Sequence, residues 1–232
     1  NHTCDVDFFA CFFFAVIQAS ILNVMSKWEI ALKKGAHWLA DHDARLAPLV
    51  EQFGLPSFQP HNNYYQELVE SIISQQLSVK AAASITKRCV GLLGHFPAPD
   101  EIVAAETEDL RGCGLSYAKV RYIKDLAMRV IDGTVKFDHL DRLSSNEIIA
   151  ELTAVKGIGE WTVHMFLIFC MGRLDVLAAG DLGVRAAMQR LYKLPALPKP
   201  AEMQIIAKTN HWHPYESLAC WYLWQSLDNE PK

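Results

Sequence analysis

From Met25 onward this chain repeats apolar residues at helical spacing, and it has no run of alternating apolar and polar residues such as a half-buried strand would need. That restricts the fold to packed helices. "KWEIALKKGAHWLADHD" sets Trp28, Ala31, Leu32 and Leu39 at helical intervals. "NYYQELVESIISQQLSVKAAASITKRCVGLLG" reads as two helices broken near Gln75–Ser78, with Ser78 capping the second. "APDEIVAAETEDLRGCG" reads as one short helix and a Gly-Cys-Gly turn, and "SYAKVRYIKDLAMRVIDGT" as a helix closed by Gly133. "SSNEIIAELTAV" opens on a capping box of Ser144 and Glu147. After the proline-rich link "PALPKP", the last helix, "HPYESLACWYLWQS", is dense in aromatics. The expectation is an all-α fold of roughly ten helices in a single domain over residues 25–232.

The chain has 232 residues, 51% of them hydrophobic, enough for one sizeable core. Its net charge of −4 means that a nucleic-acid reading needs a local basic face. Leu110–Gly133 supplies a candidate: Arg111, Lys119, Arg121, Lys124 and Arg129 stand against Asp125 and Asp132, and Gly112-Cys113-Gly114 offers a phosphate-facing turn. The six cysteines (Cys4, Cys11, Cys89, Cys113, Cys170, Cys220) form no CxxC pair, and the expectation is reduced core thiols. The apolar run Phe8–Ile17 is too short to span a bilayer, and Asp5 and Asp7 replace the basic leader of a signal peptide. We read residues 1–24 as a non-native or unstructured leader, with Met25 as the natural start; an amphipathic or buried N-terminal helix is the other reading.

The segment that bears on function is "NEIIAELTAV-KGIG-EWTVHMFLIFCMG", a helix, a tight turn and a helix over residues 146–172. Gly157 and Gly159 can take backbone angles closed to other residues and expose their N–H groups. Those groups sit at the N-terminus of the next helix, where the dipole is positive and a backbone phosphate fits. The bland alternative is an ordinary turn with a glycine C-cap. A short loop then leads to Asp175 and Asp181, and Asp181 immediately precedes an apolar helix. A helix cap accounts for Asp181; so does a carboxylate held ionised to face a developing cation.

These four stretches, "SIISQQLSVKAA", "GLSYAKVRYIKDLA", "VKGIGEWTVHMF" with "DVLAAGDLGVR", and "WHPYESLACWYLW", resemble the helix–hairpin–helix DNA glycosylase superfamily, and within it the alkylbase, AlkA-like 3-methyladenine branch. The resemblance implies a two-lobed helical fold. It implies a DNA duplex bearing alkylated bases as partner, a monomer, and no membrane association. It makes Asp181 the catalytic carboxylate and puts Trp161, Met165 and Trp224 around the flipped base. Lys156, Gly157, Ile158 and Gly159 become the phosphate-binding hairpin, Gln76 and Leu77 the wedge that fills the emptied stack, and Lys119 and Arg121 DNA contacts. No cofactor is implied, and no metal beyond a monovalent cation on the hairpin carbonyls. His61 is a further candidate near the wedge. The implied location is wherever the genome is: cytoplasm or nucleoid in a bacterium, nucleus in a eukaryote.

Departures refine the expectation. Bifunctional relatives carry a lysine two residues after the second hairpin glycine, to attack the sugar; here that residue is Trp161, so no lyase step is expected. Only Cys220 follows Cys170, too few for the four-cysteine iron–sulfur loop of the endonuclease III branch. Met25–Asn63 is too short for the β-rich N-terminal domain of larger relatives. Lys156 stands where relatives often have proline. His211 and His213 flank Trp212 without a third metal ligand, and Trp212 and Trp221 read as core packing. Two other functions remain open: a DNA-binding protein without chemistry, and a glycosylase of this fold for another damaged or mismatched base.

Overall fold

The computed structural model describes residues 26–228, so the segment 1–24, with Cys4 and Cys11, lies outside the described residues. Every regular element among them is helical. Five helix starts are marked by a short polar side chain that caps them. Ser26 opens α1 (Lys27–His42) and Ser144 opens α8 (Ser145–Leu152). At both, the hydroxyl accepts from the N–H three residues on, while a glutamate reaches back to the serine N–H. Ser78, Ser116 and Asp181 cap α4 (Val79–Leu93), α7 (Tyr117–Ile131) and α10 (Leu182–Leu191).

The helices pack in two groups. In one, α7 lies against α3 (Tyr64–Ser74), α5 (Pro99–Ala104) and α6 (Thr107–Gly112), and α4 lies against α3. In the other, α12 (Glu216–Asp228) lies against α1, α2 (Ala47–Phe53) and α10. α11 (Pro200–Thr209) buries Met203 and Ala207. Between the groups run a 3₁₀ turn (Phe137–Arg142), α8, and α9 (Glu160–Met165), which continues as a π-helical turn through Phe166–Cys170 and packs on α3. One apolar cluster joins all of this, from Leu68 and Ile123 through Leu152 and Phe166 to Val184 and Leu223.

Two details differ from the sequence reading. Residues 99–112 form two short helices, because Ala105 and Glu106 turn extended between them. "PALPKP" is a link only up to Lys199; Pro200 starts α11, where its missing N–H costs nothing. Trp212 is core as expected, fully buried, with its indole N–H on the buried Asp43 carboxylate at 2.8 Å. Tyr192 donates to the same carboxylate, and so does the Arg45 N–H at 2.9 Å. Cys89, Cys113, Cys170 and Cys220 are buried and unpaired. Burial pushes the thiols of Cys89, Cys170 and Cys220 up to about 12. No described helix is long and apolar enough to cross a membrane.

Candidate active site

Asp181 is the N-cap of α10, and its carboxylate has three protein donors. Oδ1 accepts the Val184 N–H at 2.8 Å and the Trp224 indole N–H at 2.8 Å; Oδ2 accepts the Trp161 indole N–H at 2.7 Å. Trp161 comes from the first turn of α9 and Trp224 from α12. Indoles from 20 positions before Asp181 and 43 positions after it thus meet on one carboxylate. α12 also fixes the loop that delivers Asp181. Ser217 donates its N–H to Leu174 O at 2.9 Å, and its hydroxyl accepts the Val176 N–H at 3.0 Å. Phe169, on the π turn, stands beside Trp224 with ring centroids 5.7 Å apart. π turns of this kind recur at functional sites.

Trp161 is 51% exposed and stands between two clefts. One, of about 470 Å³, is bounded by Gln75, Gln76, Trp161 and Met165. The other, of about 370 Å³, holds His164, Asp175 and Gly180. His164 is buried with Nδ1 unpartnered, and burial lowers its pKa, keeping the ring neutral.

The hairpin turn separates the roles of its two glycines. Gly157 has φ +82°, and a Cβ there would lie 2.2 Å from the Tyr122 ring. Glycine is required by conformation and by space. Gly159 has φ −97° and ψ 169°, ordinary extended backbone, with open space where a Cβ would be. The expectation that both glycines need unusual angles holds for Gly157 alone. Ile158 is buried, so its side chain belongs to the core and only its backbone can meet a ligand. Lys156 is exposed, with Nζ 3.6 Å from Asp125. Asp125, on α7, also accepts the Lys156 N–H at 3.0 Å and the Arg129 guanidinium at 3.0 Å. Burial alone would raise its pKa; the Lys156 N–H and the Arg129 guanidinium outweigh that and hold it below the usual carboxylate range.

The matches to known proteins follow this layout. The HhH-GPD superfamily base excision DNA repair family model matches residues 69–211. "DNA-3-methyladenine glycosylase 1" of Schizosaccharomyces pombe is 35% identical over 212 residues, 90% of each chain. The chain belongs to the HhH-GPD superfamily. The structure of the S. pombe 3-methyladenine DNA glycosylase in complex with abasic DNA superposes with a TM-score of 0.74 at 34% identity, over 86% of this chain and 100% of that one. The DNA-3-methyladenine glycosidase of Bacillus halodurans gives 0.77 at 35% identity, over 84% and 89%.

In this HhH-GPD chain the loop before α4 is tied to the hairpin. Gln75 Nε2 donates to Gly157 O at 2.8 Å. Gln76 is exposed with φ +59°, and Leu77 and Val79 are 40% and 88% exposed. In the sequence Val79 reads as no more than the first residue of a helix, so nothing there marks it as exposed. Lys119, an expected DNA contact, points into the protein. Its ammonium donates to Ile73 O and Gln75 O, each at 2.7 Å, capping the open end of α3. The rest of the basic stretch is similarly engaged. Lys124 donates to Ala105 O at 2.6 Å, Arg129 pairs with Asp125, and Arg111 stacks on Tyr117 at 3.7 Å. Arg121 alone of the five is exposed with no polar partner among the described residues. The local excess of cations in the sequence is therefore mostly internal bracing.

His61 pairs with Glu67 at 3.5 Å, and its Nδ1 lies 3.6 Å from Cys170 Sγ. His211 and His213 border a separate cleft of about 400 Å³ with Trp38 and Glu216. The hairpin carbonyls of Gly157 and Gly159 each accept a protein hydrogen bond, from Gln75 Nε2 and the Val163 N–H. Each of these oxygens keeps a second lone pair, open to another donor or to a cation.

Proposed function

We propose that this chain is a monofunctional DNA N-glycosylase that removes alkylated purines from duplex DNA. The observation that carries the reading is the Asp181 carboxylate, held by two indoles, one of which, Trp161, forms a wall of the cleft of about 470 Å³. Both relatives named above support it through their names.

In this mechanism the duplex lies on the hairpin, with a backbone phosphate on the open N–H of Gly159 and Lys156 and Arg121 beside the backbone. The damaged nucleotide rotates out of the stack, and Gln76 and Leu77 occupy the gap. The base enters the cleft against Trp161 and Met165. A purine alkylated at N3 or N7 carries positive charge, and an indole face attracts it by roughly 0.5–2 kcal/mol. The bond between C1′ and the base nitrogen breaks, and its electron pair leaves with the base and neutralises it. Asp181 faces the oxocarbenium-like sugar that remains, and water adds at C1′ and gives up its proton to the Asp181 carboxylate, which passes it to solvent. Trp161 offers no amine for a Schiff base, so the abasic strand stays intact. The enzyme would act alone, in the compartment that holds the genome.

The test is release of 3-methyladenine from alkylated duplex, with borohydride trapping in parallel. Wild type should release base without nicking or a trapped adduct, and Asp181→Asn should bind the duplex but slow release by about 100-fold or more. A wild type that binds without releasing any base would leave the non-catalytic DNA-binding reading in place. Faster release of neutral lesions than of methylated ones would redirect the substrate assignment.

A further inference from the structure

Gly183 is the second residue of α10, and its backbone has none of the positive φ that would require glycine. The space around it, however, is tight. A Cβ at this position would lie 3.1 Å from Asp181 Oδ1, 3.3 Å from Trp224 Cδ1 and 3.4 Å from Trp224 Nε1. Those contacts are tight enough that the indole or the carboxylate would have to shift by a few tenths of an ångström. The two atoms that would be pushed, Oδ1 and Nε1, are the ones that share the 2.8 Å hydrogen bond. The missing side chain is what lets the Trp224 ring close over the first turn of α10.

We propose that Gly183 and Trp224 are positioning residues for the Asp181 carboxylate. Resting on the reading of Asp181 given above, the inference adds what aims it. Oδ1 is filled from two sides, by Val184 N–H and Trp224 Nε1–H, whereas Oδ2 has one donor, Trp161. Two donors on one oxygen remove the freedom of the carboxylate to rotate. The oxygen with the remaining lone pair, Oδ2, is turned toward Trp161, which forms the cleft wall. A carboxylate fixed before the reaction needs no reorganisation when positive charge develops at C1′, which is where such groups act most strongly. Displacement of reacting groups by a fraction of an ångström to 1 Å is enough to cost large factors in rate.

The experiment compares wild type, Gly183→Ala, Trp224→Phe, the double variant and Asp181→Asn. Each is measured for single-turnover release of 7-methylguanine, for affinity to a duplex with a tetrahydrofuran abasic analogue, and for thermal midpoint. Gly183→Ala gains helix propensity and adds close contacts at 3.1–3.4 Å, two effects of opposite sign, so its midpoint should stay within about 3 °C of wild type. Its release rate should nevertheless fall by about tenfold, with affinity for the abasic duplex unchanged. Trp224→Phe should fall at least as far. If Gly183 acts by leaving room for the Trp224 indole, the double variant should be no slower than Trp224→Phe alone. Replacing Trp224 by benzothienylalanine, which keeps the ring shape and lacks the N–H, should reproduce the loss. Unchanged release in Gly183→Ala and in the benzothienyl variant, with Asp181→Asn inactive, would overturn the positioning role and leave the catalytic assignment standing. Absence of release in wild type would overturn the catalytic assignment first. Fully multiplicative losses in the double variant would show that Gly183 acts by a route other than Trp224.

Discussion

At the scale of single residues, the two hairpin glycines invite opposite experiments. Gly157→Ala forces a side chain into the Tyr122 ring at a positive φ, and we expect a loss of about 1–3 kcal/mol in stability, read as a lower thermal midpoint. Gly159→Ala meets nothing, so its stability should stay within about 0.5 kcal/mol of wild type. Its affinity for DNA should still drop if a phosphate comes close to this N–H, because the added Cβ crowds the phosphate off a charge-assisted hydrogen bond of about 1.5–3 kcal/mol. A duplex-binding titration of both variants, corrected for folding, separates the glycine that builds the turn from the one that faces outward. The sequence could not make this distinction. "GIG" is symmetrical as letters, and only the backbone angles and the position of Tyr122 split the pair.

At the scale of elements, α7 carries two kinds of lysine and arginine that look alike in sequence. Lys119 closes the carbonyl end of α3, and Arg121 is exposed. We expect Arg121→Ala to weaken duplex binding and lower the salt slope by about 1. Lys119→Met should loosen the 74–78 loop and slow base release with the salt slope unchanged. Log-affinity against log-salt lines for the two variants decide this. Asp125, on the same helix, holds the hairpin from behind, and we expect Asp125→Asn to cost about 2–4 kcal/mol near neutral pH, since the Lys156 N–H and the Arg129 guanidinium lose a buried charged acceptor. The pH dependence has a definite sign. The folded pKa of Asp125 is lowered, so its stabilisation is fully present above the unfolded carboxylate range, near about 3.9. It is lost as pH falls through the folded value. Denaturant midpoints of wild type and Asp125→Asn should therefore converge as pH drops below about 4 and separate above it.

At the scale of the whole molecule, the second helical group is closed by Asp43, which brings Tyr192 and Trp212 from 149 and 169 positions away onto one buried carboxylate. Asp43→Ala would take the charged acceptor from the buried Trp212 indole N–H and from the half-buried Tyr192 hydroxyl. We expect a loss of about 2–4 kcal/mol, or several degrees to roughly 15 °C in thermal midpoint for a chain of this length. Base release measured well below the new midpoint should be close to wild type, because the hub lies apart from Asp181. Of this hub the sequence shows only Trp212 as an expected core residue. Asp43 looks like one more charge at the end of an amphipathic helix.

Local rules made the helical class, the capping serines, the break before α4 and the hairpin legible. Helical spacing, a serine followed by glutamate, and paired glycines act over three or four residues, so the chain carries them in plain order. Asp181 was readable for the same reason, as a helix cap beside a motif. What folds back from a distance was not readable. The two indoles on one carboxylate, the Gln75 tie to Gly157, the burial of Asp125 and the internal engagement of the basic stretch depend on which helices become neighbours. Packing brings together atoms that are tens of residues apart, and a side chain's partner is set by that geometry and not by its own identity. The sequence determined that this chain is an all-helical member of its family with a carboxylate at a helix start; the tertiary structure decided which donors hold that carboxylate, which cations stay exposed, and why Gly183 has no side chain.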